Sequence, residues 1–178
     1  MFLALSNGLL DASIVAWDAK RHVDTVRPVT AVHFLTAGNM IRAWGGPYQG
    51  TVVMRGELWE PYQPASVVTP PFPEFISGHS ICSATSAEIR TRYTGSDVLN
   101  SSVTIPAGSG RVEPGLVPAV DITQSGATFR DAADEAGISR RCGGIHFVQG
   151  DEQARAIGRA LGAQVWSKAQ SYFDGTVR

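Results

Sequence analysis

The sequence predicts a mainly α-helical protein with a small β ribbon or hairpin, and three observations carry that reading. Apolar residues recur at helical spacing near both ends of the chain. A stretch rich in Ser, Ala and Thr at 80–93 reads as a helix whose small side chains let neighbours approach closely. Between Gly95 and Thr123, Val98, Val103, Ile105, Val112 and Val120 are punctuated by Gly and Pro, the pattern of a short hairpin.

Taken in order, Leu3, Leu10, Ile14 and Trp17 follow one another at spacings of seven, four and three, which predicts a helix from Leu3 to about Val26. Pro28 ends it or starts the next helix, Val29 to Leu35, which stops at Ala37-Gly38-Asn39. Met40 to Pro73 holds Gly45-Gly46-Pro47, Pro61, Pro64 and Pro70-Pro71, so a long irregular connection is expected there. Ser80 to Tyr93 follows as a buried helix. Phe129, Ala133 and Ala136 mark another, with Gly137 as its stop. Asp151 to Phe173 closes the chain as an amphipathic helix, with Ile157, Leu161, Val165 and Ala169 every four residues and acidic residues at its start.

With 178 residues and 43% hydrophobic content, the chain suffices for one domain with a single sizeable core. Its net charge of -1, from 15 basic and 16 acidic residues, gives no overall field favouring nucleic acid or an anionic membrane. The apolar stretches Phe2–Leu5 and Ser13–Trp17 are interrupted by Asn7, Asp11 and Asp18, well short of the roughly 20 residues of a membrane span. Met1 to Leu10 lacks a basic start and a cleavage site, so it does not read as a signal peptide, and localisation stays open. Cys82 and Cys142 are too few for a disulfide framework and read as unpaired thiols.

Positive charge that matters must therefore be local. Lys20 to Pro28 (KRHVDTVRP), Ser77-Gly78-His79 and Ser139 to His146 (SRRCGGIH) supply three cations, Lys20, Arg27 and Arg140, with two histidines and a small hydroxyl. Guanidinium forks match the oxygens of a tetrahedral oxyanion, an ammonium adds a point charge, and a Ser-Gly pair at a helix start adds hydroxyl and N–H donors. On one helix Lys20 and Arg27 would differ by about 20° around the axis and converge on one ligand; alone, the pair also reads as an exposed basic face. Gly78 lets an oxyanion approach the backbone, though Ser-Gly-His alone also reads as a helix cap. Arg140 and His146 cannot share a helix face, so Gly143-Gly144 is expected to turn the chain, with Arg140 in a loop and His146 in the following segment.

The order and spacing of these motifs resemble the type 2 phosphatidic acid phosphatase and vanadium-dependent haloperoxidase superfamily over roughly residues 10 to 170. Pro71-Phe72-Pro73-Glu74-Phe75, the run from Asp11 to Ala31 and residues 139–166 look more like bacterial-type vanadium haloperoxidases than acid phosphatases. Two departures stand out: Ile76, where the family has proline, and Asp151, one residue beyond the usual acidic position after the histidine.

The resemblance implies the helical bundle of the acid phosphatase/vanadium haloperoxidase type, and one catalytic domain over residues 1–178. Members usually carry several helices before the first motif, so the chain is expected to be the C-terminal part of a longer protein or to lack those helices. The resemblance further implies vanadate as cofactor, with phosphate able to occupy the same site. His146 would bond the vanadium, while Lys20, Arg27, Ser77, Gly78 and Arg140 clamp the oxygens. His79 would serve as acid/base group, and Trp17 and Phe72 would line a halide pocket. Lys20 would polarise bound hydrogen peroxide for attack by bromide or chloride, releasing hypohalous acid. The same pocket fits an acid phosphatase acting on phosphomonoesters, with His146 as nucleophile. A third alternative is a non-catalytic chain that binds an oxyanion or only packs against a partner. Its motive is the apolar side of residues 3 to 17, which an absent N-terminal segment or another copy would cover.

Overall fold

The computed structural model describes residues 1–177. Five helices, α1 (Phe2–Val23), α2 (Pro28–Leu35), α3 (Gly78–Thr94), α4 (Phe129–Cys142) and α5 (Val148–Phe173), make up the bulk of it. Two antiparallel hairpins are set between them, β1 (Met40–Trp44) with β2 (Thr51–Arg55), and β3 (Val98–Ile105) with β4 (Ile122–Thr128). No described helix is long and apolar enough to cross a membrane. Both cysteines are free, Cys82 half-buried and Cys142 exposed.

Buried helix α3 is the hub. It packs most extensively on α5, then on α4 and α1. Ser80, Ile81, Ala84, Thr85, Ala87 and Ile89 form its buried positions, and the small ones bring backbones together. The facing positions of α5 are also small: Ala154, Gly158 and Gly162. Ala12, Ala16, Ile76, Ile81 and Ala154 form the main core cluster, flanked by Val15, Phe75, Ile157 and Leu161.

The face that α1 buries is not the one its large apolar residues mark. Ala4, Gly8, Ala12, Ala16 and Lys20 are buried. Leu3, Leu10, Ile14 and Trp17 lie on the outside, 51% to 60% exposed. Periodicity located the helix, but close packing on α3 and α5 admits only the small stripe.

Four expectations need correcting. First, α1 ends at Val23, where Asp24 adopts a left-handed conformation (φ 48°) and its N–H bonds the Lys20 carbonyl. Arg27 is extended (φ -78°, ψ 156°), as a residue preceding proline must be, so Lys20 and Arg27 do not share a helix. Second, the 40–73 connection is only partly irregular. Its first part is the β1–β2 hairpin, registered Met40 to Arg55 and Trp44 to Thr51, because Gly45-Gly46-Pro47 serves as the turn of a hairpin. Third, Gly137 does not stop α4. It is buried inside the helix, where a Cβ would collide with Asp151, and α4 runs on to Cys142. Fourth, Arg140 therefore projects from the last turn of a helix rather than from a loop.

Candidate functional site

The three motifs meet where the start of α2, the 72–77 loop and the α4–α5 turn come together, with Lys20 arriving from the end of α1. Gly144, at φ 71°, makes the turn that carries the chain from Arg140 back to His146. Arg27 is the clasp: Nε donates to Phe72 O (2.8 Å), NH1 to Ile145 O (2.8 Å) and NH2 to Pro73 O (3.3 Å). NH1 also lies 3.1 Å from His146 Nε2. Lys20 Nζ donates to Pro73 O (2.8 Å) and Glu74 O (2.9 Å).

These bonds fix the cations without exhausting them. An ammonium has three N–H donors and a guanidinium five, so Lys20 and Arg27 each keep one N–H beyond the contacts just given. Arg140 Nε is buried and has no hydrogen-bond partner among the described residues. Lys20 and Arg27 are buried, at 2% and 5% exposure, and the nearby carboxylate is Glu74. Three cations against one carboxylate leave a surplus of positive charge, and buried charge without a counter-ion is costly.

The pKa values register that surplus. Burial, then the Arg27 charge, lowers Lys20 to about 8, against a partial pull upward from Glu74. Burial also lowers Arg27 and Arg140. His146 sits below the ordinary histidine range, chiefly through burial; the Glu74 hydrogen bond opposes this, and the Arg27 and Lys20 charges reinforce it. His79, solvent-exposed on the first turn of α3, is lowered by burial of part of its ring and by the charges of Arg140 and His146.

Ser77 caps α3, its Oγ accepting from Ser80 N at 3.3 Å, as Ser at a helix start does. That hydroxyl is wholly buried, and Ser80 Oγ lies 2.8 Å from both Ser77 Oγ and Asp151 Oδ1. Phe72 packs edge-on against Trp17 with centroids 4.7 Å apart, and Lys20 and Arg27 lie 5.2 and 5.0 Å from its ring centre. The structure thus brings Lys20, Arg27, Phe72 and His146 into direct or near contact, with Trp17 at the edge and Arg140 near enough for its charge to act on Arg27 and on the His79 ring.

Sequence reasoning gave no role to Glu74, whose Oε1 lies 2.6 Å from His146 Nδ1. The available signal was a single carboxylate inside the otherwise apolar run Pro71–Phe75. Asp151 does not contact the histidine; it holds Ser80, Arg155 and Arg141.

The family model for the VCPO second helical-bundle domain matches residues 1–175. The chain is similar to the solved holo-type bacterial vanadium-dependent chloroperoxidase at 33% identity and a TM-score of 0.87, over 94% of this chain and 35% of that one. Against the apo-type bacterial chloroperoxidase the values are 33%, 0.88, 94% and 36%. Against a bacterial vanadium-dependent iodoperoxidase they are 32%, 0.62, 93% and 32%. The chain thus spans about a third of the length of these relatives. No curated protein matches.

Proposed function

The chain belongs to the vanadium haloperoxidase family, and from its site we propose that it provides the vanadate cradle of an enzyme oxidising bromide or chloride with hydrogen peroxide. The observation that supports this is the surplus of positive charge beside His146, where Lys20 and Arg27 are buried against the single carboxylate of Glu74 and Arg140 Nε has no hydrogen-bond partner among the described residues. Such a cluster of donors fits a multiply charged oxyanion such as vanadate. Bound vanadate would supply Lewis acidity that activates peroxide toward halide.

The residues divide the work. His146 would offer the Nε2 lone pair to the central atom. Lys20, Arg27 and Arg140, with the N–H of Gly78, which as the first residue of α3 has no intrahelical partner, and Ser77 beside it, would hold the oxygens; donors fixed beforehand need no rearrangement as charge develops. Lys20 would turn its remaining N–H to the oxygen carrying the developing charge. His79, neutral near pH 7, would take up and return a proton at the mouth of the site. Phe72 and Trp17 would present an apolar wall that strips water from a halide at modest cost.

The test is bromination of a phenol-type dye with orthovanadate, peroxide and bromide. A folded, vanadate-loaded protein that brominates nothing would refute the reading. Because Nε2 of His146 could equally attack phosphorus, the second reading is an acid phosphatase; a phosphohistidine trapped at residue 146 would establish it.

A further inference from the structure

We propose that Glu74 is a positioning residue: it commits His146 to the tautomer with hydrogen on Nδ1, leaving Nε2 free to bond the central atom of an oxyanion. This rests on the reading of His146 given above.

A neutral imidazole has one N–H donor and one acceptor, and its neighbours decide which is which. Glu74 Oε1 lies 2.6 Å from Nδ1 and accepts Phe147 N–H at 3.1 Å, so it faces Nδ1 as an acceptor. Arg27 NH1, a donor only, lies 3.1 Å from Nε2. Hydrogen on Nδ1 satisfies both contacts; hydrogen on Nε2 would set donor against donor and acceptor against acceptor.

The two neighbours are not equivalent. Arg27 uses the lone pair that an oxyanion's central atom would need, and its three carbonyl contacts hold it in place when that one contact is given up. Glu74 keeps its bond throughout and opposes the positive charge that grows on the ring as Nε2 shares its electrons. The fold is built around that carboxylate. It is 2% exposed and sits at the start of 26-residue α5, where the helix dipole favours an anion, and a Cβ on Gly150 would occupy its place. Its own main-chain oxygen holds Lys20, so one residue sets both the histidine and the ammonium.

The experiment compares the parent protein with Glu74→Gln, Glu74→Ala and His146→Ala. Ring ¹⁵N spectra of the ligand-free protein report the tautomer, and titrations with orthovanadate and with sulfate report affinity. The parent and Glu74→Gln, whose amide oxygen still accepts, are expected to show hydrogen on Nδ1, and Glu74→Ala a mixture. Vanadate affinity is expected to fall about 10- to 100-fold in Glu74→Ala, less in Glu74→Gln, and not at all when Glu74→Gln is added to His146→Ala. Sulfate, held by the cations alone, is expected to bind equally or more tightly once the negative charge is gone. Equal weakening of both anions, an unchanged vanadate affinity in Glu74→Ala, or Nε2–H in the parent would overturn the proposal. If the parent binds vanadate no better than sulfate, the oxyanion reading of His146 fails, while the spectra still decide what Glu74 does to the ring.

Discussion

Lys20 Nζ lies 2.9 Å from the main-chain oxygen of Glu74, and with Pro73 O that contact pins an almost fully buried ammonium beside a second cation, Arg27. Burial first, and then the Arg27 charge, brings the Lys20 pKa down to about 8 against the pull of Glu74, which makes its charge conditional on pH.

Sulfate affinity is therefore expected to fall as pH rises through about 8, where Lys20 gives up its proton. Sulfate keeps its charge across that range, so the change belongs to the protein. An anion favours the ammonium, so binding should take up protons there. Calorimetry in two buffers of different ionisation enthalpy measures this; a flat profile from neutrality to about pH 9.5 would count against it.

Acid is expected to destabilise the ligand-free protein. His79 and His146 are both held below the ordinary histidine range. As pH falls below about 6.5 the unfolded chain binds protons before the folded one does, and stability declines with them. Saturating sulfate should shrink the loss by favouring the protonated rings. Urea unfolding at a series of pH values, with and without sulfate, checks both parts.

Asp151→Ala is expected to cost about 3 kcal/mol, near the low end for breaking a buried ion pair. Asp151 is fully buried, and its removal leaves Arg155 with only the 3.4 Å contact to Asp134 and takes one of the two acceptors of the Ser80 hydroxyl. Arg155 retains some access to water, which limits the penalty. Urea unfolding gives the number; a loss under about 1 kcal/mol would mean that the network is not holding α5 to α3.

The two histidines are expected to separate by mutation. His146→Ala should lose vanadate affinity and turnover together. His79→Ala should keep appreciable binding while turnover drops about 10²- to 10⁴-fold. Arg27→Ala and Arg140→Ala should weaken vanadate and phosphate alike, since each takes a charged fork from the same oxygens. Tight vanadate binding by His146→Ala with loss in His79→Ala would reverse the two assignments.

Leu3, Leu10, Ile14 and Trp17 form an uncovered apolar row along α1. The chain on its own is accordingly expected to self-associate, or to accept another helical segment on that face. Leu10→Glu with Ile14→Glu should abolish association in light scattering while leaving the unfolding free energy within about 0.5 kcal/mol. Monodisperse monomer in the parent would argue against this.

The helices were legible because their apolar and small residues recur at helical spacing whichever face is buried. Which face α1 buries was not, since burial depended on how closely α3 and α5 approach, and Ala12 and Ala16 carry no signal as loud as Leu10. Lys20, Arg27 and His146 were legible as a set from their order. Their geometry was not: Asp24 breaks the helix between the two cations, and only Pro28 hinted at it. Glu74 escaped because a carboxylate earns its meaning from a partner 72 residues away. The β1–β2 hairpin was hidden by prolines and glycines that mark a turn and a loop equally well.

Arg27 reaches Ile145 across 118 residues and His146 across 119, the longest side-chain hydrogen-bond spans among the described residues. No fragment holding one or two of the motifs contains the cradle, and a chain still folding can have sound helices and no affinity. Opening the α4–α5 turn alone would free Ile145, and with it one of the three carbonyls that hold Arg27. An anion that binds only the closed arrangement therefore weighs against every such opening, by an amount that grows with the logarithm of its concentration. On the proposed reading of the site, a phosphate-sized anion would in this way act as a folding aid, favouring completed chains.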